Sequence, residues 1–72
     1  MPKLHSSRQI IKVLQRYGFM FISQKGSHKK FRKMGIEVRT VIVPDNRKEI
    51  PSGTSKSILR QSGLEEKDFQ EK

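Results

Sequence analysis

The chain has 72 residues, which is enough for one small domain with a modest hydrophobic core. It contains no cysteine, which excludes disulfides and thiolate metal sites, and no apolar run approaches the roughly 20 residues that span a bilayer. Lysine and arginine outnumber aspartate and glutamate by 16 to 7, so the net charge is +9. We expect one domain over residues 1–72 with its core at about 5–69, no signal peptide and a cytoplasmic location.

The charge is distributed unevenly along the chain. Residues 1–36 contain nine basic residues and no acidic one, whereas residues 37–72 contain seven of each. All of the net charge therefore lies in the first half. Such a one-sided charge favours a polyanionic partner, which is nucleic acid, an anionic membrane surface or an acidic protein. A basic surface that is merely solvated is the alternative.

The first predicted element is an amphipathic helix. Ser6 or Ser7 provides its N-cap, and Ser6-Ser-Arg-Gln9 has the spacing of a capping box. Gly18 is expected to end the helix. Its apolar face is formed at helical spacing by Ile10, Val13, Leu14 and Tyr17.

Three strands follow the first helix. The turn between the first two, at residues 24–27, includes Gly26, which is free to adopt a positive φ, and Pro44 ends the third strand. Connections as short as these require an antiparallel meander. The strands are predicted at residues 19–22, 28–34 and 38–43.

A second helix completes the predicted fold. Its N-cap is Ser52 or Thr54, and Gly63 ends it. Leu64 and Phe69 are expected to hold a last helical turn against the domain. The predicted fold class is therefore α+β in the order α-β-β-β-α, with a three-stranded antiparallel sheet and both helices on one face.

The second strand places a histidine beside basic side chains. Because strand residues alternate, Phe31 shares its face with Lys29 and Lys33, whose amines extend toward the edges. Phe31 is the large apolar residue in the middle of this strand, so its face is expected to cover the core. The opposite, open face then carries His28, Lys30 and Arg32.

An imidazole beside fixed cations suits chemistry at a phosphodiester. Imidazole gains and loses protons near neutral pH, and cations stabilise the negative charge of a phosphorane. Backbone N–H groups around Gly26 and Ser27 are placed to hold a phosphate oxygen if the turn forms a nest. A surface histidine without a role is the alternative that the pattern leaves open, and His5 is not expected to take part.

Other features of the sequence favour structural roles. The two histidines and the scattered carboxylates show no metal-ligand spacing, so no metal site is predicted. Tyr17, Phe19 and Phe21 are expected to be core residues rather than a platform for stacking bases.

Four segments resemble the HicA (YcfA-like) mRNA interferase family in the same order and spacing. The most distinctive is Gly26-Ser-His-Lys-Lys-Phe31, which is similar to the Gly-Ser-His block of that family. The resemblance covers roughly residues 5–69, and together the segments are specific. The other three are Lys12-Val-Leu-Gln-Arg-Tyr-Gly-Phe19, Val41-Ile-Val-Pro44 and Gly53-Thr-Ser-Lys-Ser-Ile-Leu-Arg-Gln-Ser-Gly-Leu64.

The resemblance implies a fold like that of a double-stranded-RNA-binding domain and a ribosome-independent, metal-free endoribonuclease without a cofactor. It implies that His28 is the catalytic general acid/base and that a cognate HicB antitoxin neutralises the toxin by covering the basic face. The free toxin is expected to be a monomer that does not bind membranes. The residues expected to bind mRNA are Lys25, Gly26, Ser27, Lys29, Lys30 and Arg32.

Two positions depart from the family pattern. Many relatives have a second histidine directly after the first, where this chain has Lys29, and a Pro-x-His after the third strand, where it has Pro44-Asp-Asn46. The second proton-transfer group is therefore open among Lys29, Lys30, solvent and the RNA. A non-catalytic RNA-binding module on the same fold is the alternative function, and a basic adaptor for an acidic protein is a third.

Overall fold

The computed structural model describes residues 5–69 and has the predicted fold. The strands form one antiparallel sheet in the order β1-β2-β3, and both helices lie on one of its faces, so the predicted α+β class is confirmed. No helix within residues 5–69 is long and apolar enough to cross a membrane. The elements are α1 (Ser7–Arg16), β1 (Met20–Lys25), β2 (His28–Lys33), β3 (Arg39–Pro44), α2 (Ser52–Ser62) and a final 3-10 turn (Glu66–Phe69).

The hydrophobic core lies between the helices and strands β2 and β3. Phe31 of β2 and Val41 of β3 are register partners, and both side chains are buried beneath the helices. This confirms the face that the sequence predicted for Phe31. The core side chains are Ile10, Val13, Leu14, Phe19, Phe31, Val41, Val43, Ile50, Ile58 and Phe69.

Helix α1 begins and ends as predicted. The Ser6 hydroxyl accepts a hydrogen bond from the Gln9 backbone N–H at 3.1 Å, and the Gln9 side-chain oxygen accepts one from the Ser6 N–H at 2.9 Å. This reciprocal capping box satisfies two N–H groups that the first turn otherwise leaves unpaired. Gly18 follows the helix with φ +96°, a conformation that a residue with a Cβ adopts at a cost.

Strand β1 is longer than predicted. It covers Met20–Lys25 because Ser23, Gln24 and Lys25 pair with β2, which reduces the turn to two residues. Phe19, predicted as the first strand residue, instead precedes the strand and is buried in the core. The prediction rested on apolar residues and therefore omitted the polar half of the strand. Those residues are in the strand because they pair with β2, not because their side chains are buried.

The prediction of a side-chain cap on α2 was wrong. The N-cap of α2 is Pro51, which has no side-chain oxygen, and its carbonyl accepts the Ser55 backbone N–H at 2.9 Å. Ser52 is already the first helical residue. Gly63 ends the helix in a left-handed conformation, as predicted. Strand β3 includes Pro44 as its last residue, which is tolerated because β3 is an edge strand.

Strand β1 lies beyond the cover of the helices. All six of its residues are exposed, among them three adjacent apolar side chains, Met20, Phe21 and Ile22. Phe21 points to the helix side and contacts the Phe31 ring edge-on at 5.9 Å between centroids, yet it is 51% exposed because the helices pack over β3 instead. Tyr17 is also partly exposed, so the prediction of core positions for Tyr17 and Phe21 was wrong.

The buried side chain of Ser7 ties α1 to the segment after β3. Its hydroxyl donates to the Pro44 carbonyl at 2.6 Å and accepts from the Arg47 N–H at 2.9 Å. Replacing Ser7 by alanine leaves both backbone groups unpaired, so we expect the free energy of unfolding to fall by about 1–3 kcal/mol, measured by urea denaturation. Ser57→Ala on the exposed surface of α2 is the control and is expected to change it by less than about 0.5 kcal/mol. Equal effects of the two substitutions would contradict the role of Ser7.

Candidate active site

A tight turn positions His28 at the tip of the β1–β2 hairpin. Gly26 and Ser27 form the turn between Lys25 and His28, which are register partners. Gly26 has φ +59° whereas Ser27 does not adopt a positive φ, the pattern of a type II′ turn, whose twist matches that of antiparallel strands. His28 therefore begins β2 directly at the tip, and its position is fixed by strand pairing.

The open face of the sheet carries a shallow depression around His28. Its volume is about 450 Å³, and the exposed imidazole shares it with the side chains of Lys25 and Lys30. The register explains this grouping, because Lys25 lies opposite His28 and Lys30 is two residues further along β2. The remaining lining residues are Ser23 of β1 and Ile42 of β3.

Arg32 lies further along the same face of β2. It is opposite Met20 and Thr40, outside the residues that line the depression. Its Nε atom is buried and has no hydrogen-bond partner within residues 5–69. The structure thus brings Lys25 and Lys30 to His28 and leaves Arg32 at a greater distance along the strand.

Lys29 lies on the other face of the sheet. Its register partners are Gln24 and the buried Val43, and its Nζ atom is 3.3 Å from Oδ1 of Asp45. Lys33 shares this face, and its Nζ atom lies 6.0 Å from the centroid of the Phe19 ring. The predicted RNA-binding lysines are therefore divided between two faces, with Lys25 and Lys30 beside His28 and Lys29 behind it.

Two residues that the sequence did not single out hold the hairpin tip to the end of β3. The Gln24 amide donates to the Gly26 carbonyl at 3.0 Å and to Oδ2 of Asp45 at 3.2 Å. The Asp45 backbone N–H donates to the Ser27 carbonyl at 2.6 Å. We call these contacts, with the Lys29–Asp45 ion pair, the tip clamp. The sequence held one signal for Asp45, which directly follows Pro44, the residue predicted to end the third strand. In the structure Pro44 is the register partner of His28.

Removing the carboxylate of Asp45 tests the tip clamp. In Asp45→Ala the Lys29 and Gln24 contacts are lost and the backbone bond to Ser27 remains, so we expect the free energy of unfolding to fall by less than about 1 kcal/mol. The amides of the turn should exchange with solvent faster than in the unaltered protein, measured by hydrogen exchange. Asp45→Asn keeps an acceptor for Gln24 and should give an intermediate rate. Unchanged exchange in Asp45→Ala would show that the carboxylate does not restrain the turn.

The second histidine belongs to the structural frame. The His5 ring lies 6.3 Å from the Phe69 ring, and its carbonyl accepts the Ile50 N–H at 2.8 Å. It does not line the depression around His28. Within residues 5–69, no three histidine, aspartate or glutamate side chains are gathered so that they could hold a metal ion. At the depression, one imidazole can exchange a proton and two lysines can stabilise negative charge.

Fold and site together define a class: a small basic α+β domain that presents one imidazole beside two lysines on an open sheet face. The family model for the HicA toxin of bacterial toxin–antitoxin systems matches residues 7–64, from the first residue of α1 to just beyond the end of α2. The chain therefore belongs to the HicA toxin family, as predicted. Its role is that of the toxin in such a system, which implies an antitoxin partner. No curated protein sequence matches the chain significantly.

Proposed function

We propose that this toxin is an endoribonuclease that cleaves mRNA without the ribosome, a metal ion or a cofactor, with His28 as its catalytic residue. The observation that carries the proposal is the exposed His28, which lines one depression with Lys25 and Lys30 on the open sheet face of a HicA-family toxin. An imidazole can take or give a proton near neutral pH, which RNA cleavage requires at two oxygen atoms.

The proposed reaction is internal transesterification. The ribose 2′-oxygen attacks the adjacent phosphorus as a base removes its proton, and the bond from phosphorus to the 5′-oxygen breaks as an acid gives that oxygen a proton. The products are a 2′,3′-cyclic phosphate and a 5′-hydroxyl, so no water is consumed. His28 carries out one of the two proton transfers, and Lys30, solvent or the RNA carries out the other.

The cations of the depression act on the phosphate. Lys25 and Lys30 are placed to neutralise the charge that builds up on the phosphorane oxygens. The backbone N–H groups of Gly26 and Ser27 and the side chain of Arg32 extend the contact with the RNA backbone. Lys29 binds phosphate from the opposite side of the hairpin tip and is not available to exchange a proton at His28.

The antitoxin is proposed to be a HicB-type protein with an acidic or substrate-mimicking surface. A partner of negative charge suits a toxin of net charge +9, because complementary charge accelerates association. Covering the depression around His28 would block access of RNA. Because mRNA is the substrate, we propose that the toxin acts in the cytoplasm.

Cleavage of a defined mRNA transcript by the purified protein tests the proposal. The reaction contains EDTA and no ribosomes, and we expect fragments that end in 2′,3′-cyclic phosphates. A transcript with a 2′-deoxy nucleotide at the cleaved position is the control and should stay intact there, because it lacks the attacking oxygen. Binding of the transcript without any cleavage would contradict the proposed endoribonuclease activity. The protein would then be a non-catalytic RNA-binding module.

A further inference from the structure

A second basic surface lies on the helix side of the molecule. It is a groove of about 800 Å³ between α1 and the loop that joins β3 to α2, and it shares no lining residue with the depression around His28. One of its lining residues is acidic, Asp45. Five are basic, namely Arg8, Lys12, Lys29, Arg47 and Lys48. We call this surface the basic groove.

Most of the positive charge in the basic groove is unpaired. Asp45 is held by Lys29 at 3.3 Å. Within residues 5–69 the other four cations have no carboxylate at ion-pair distance, and all four are exposed. Among the residues that the structure describes, the groove therefore has four cations that no carboxylate neutralises.

The placement of two of these cations opposes the stability of α1. Arg8 is in the first turn of the helix, where the helix dipole disfavours positive charge. Lys12 lies four residues after Arg8, so the two positive charges are neighbours on successive turns of α1. Their repulsion also destabilises the helix. Because these charges do not serve the folded state, their presence together at the groove points to a ligand.

The walls of the basic groove are held in place before any ligand binds. Ser7 joins them, because its backbone N–H donates to the Arg47 carbonyl at 2.9 Å and its hydroxyl bonds both Pro44 and Arg47. The lining residues are polar or charged apart from the partly buried Ile11. A groove with fixed walls and exposed cations fits a phosphate backbone, which needs positive charge and hydrogen-bond donors.

One end of the basic groove meets the hairpin tip. Lys29 and Asp45 line that end, and the tip clamp joins them to Gly26 and Ser27. His28 is the next residue, with its side chain on the opposite face. A chain that leaves the groove and crosses the Gly26–Ser27 turn therefore arrives at the depression around His28.

We propose that the basic groove binds the sugar-phosphate backbone of the RNA next to the cleaved bond, and that the strand crosses the hairpin tip to reach His28. This inference rests on the proposed function for the identity of the ligand. It assigns the groove to substrate affinity and the depression to the reaction, so the two surfaces are separable by substitution.

The test uses the double substitution Arg8→Ala/Lys12→Ala. Binding is measured by fluorescence anisotropy with labelled 2′-O-methyl RNA, as a single strand and as a hairpin, because this RNA lacks the attacking 2′-hydroxyl. For the single strand, loss of two phosphate contacts should weaken binding by roughly 10–30-fold at about 0.1 M salt and reduce the slope of log K against log salt by about 1.4. The variant should unfold at a temperature no lower than the unaltered protein, since it relieves both unfavourable charges.

The matched control is Lys56→Ala/Arg60→Ala. It removes the same charge from an exposed surface of α2 that lines neither the groove nor the depression. We expect a much smaller loss of affinity. Equal losses in the two variants would overturn the groove as a specific site and leave a diffuse effect of net charge.

Three further outcomes separate this inference from the proposed function. If the unaltered protein cleaves RNA and Arg8→Ala/Lys12→Ala binds RNA normally, the groove assignment fails and the enzyme stands. If that variant binds RNA normally and loses affinity for a purified HicB-type antitoxin, the groove is a protein interface instead. If the unaltered protein neither binds nor cleaves RNA, the proposed function itself fails.

Discussion

Replacing His28 by alanine is expected to reduce RNA cleavage by roughly 10²–10⁴-fold, the usual contribution of a positioned general acid or base. The His28 side chain is exposed at the hairpin tip and is not part of the hydrophobic core, so the fold should be unchanged. Affinity for 2′-O-methyl RNA should change little, because the imidazole is one contact among several cations. The measurement is the initial rate of transcript cleavage at matched RNA occupancy.

His5→Ala is the matched control for the histidine. It removes the other imidazole of the chain, which packs on Phe69 and lies outside the depression. We expect its cleavage rate to stay within a few-fold of the unaltered rate once the folded fraction is equal. Full activity of His28→Ala would assign any nuclease activity to another group, whereas lost RNA binding in that variant would give His28 a binding role.

Phe31→Ala is expected to have the largest effect on stability. The side chain is 1% exposed and lies at the centre of the core, and removing a buried phenylalanine costs about 3–5 kcal/mol. Natural domains have roughly 0.05–0.15 kcal/mol of stability per residue, which for this chain is about 4–11 kcal/mol in total. The substitution should therefore remove a large part of the stability, measured by urea or thermal unfolding.

Phe21→Ala provides the comparison on the neighbouring strand. Phe21 is the register partner of Phe31, points to the same side and contacts its ring, but is 51% exposed. Folding buries less apolar surface at Phe21 than at Phe31. Removal of the Phe21 ring should therefore lower the free energy of unfolding by only roughly 1 kcal/mol. A loss for Phe21→Ala as large as that for Phe31→Ala would mean that the core extends over β1.

The predictions that succeeded depended on local signals. The bounds of α1 were predicted from the capping box at Ser6 and Gln9 and from the glycine after the helix. Each of these signals acts within a few residues. A single large apolar side chain in the middle of β2, Phe31, was enough to orient that strand. This placed His28 on the open face, because side chains alternate strictly along a strand.

Apart from the side-chain cap of α2, the features that the sequence failed to predict depend on where elements lie in three dimensions. Phe21 and Tyr17 are aromatic residues, a type that is usually buried in the core. They are exposed here, and the helices pack over β3 and leave β1 uncovered. The role of Asp45 was not predicted, because its contacts with Gln24 and Lys29 span 21 and 16 residues of sequence. The basic groove joins parts of α1, β2 and the β3–α2 loop, so no segment of the sequence reveals it.

The uncovered edge of β1 makes ionic strength a determinant of self-association. An unpaired strand edge with adjacent apolar side chains can pair with another copy of itself. In dilute buffer the charge of +9 on every copy keeps such edges apart, and we expect a monomer. At 1 M salt the screening length falls to about 3 Å, so this repulsion is lost. Salt concentrations that release the toxin from RNA should therefore also bring its copies together, which light scattering across a salt series would reveal.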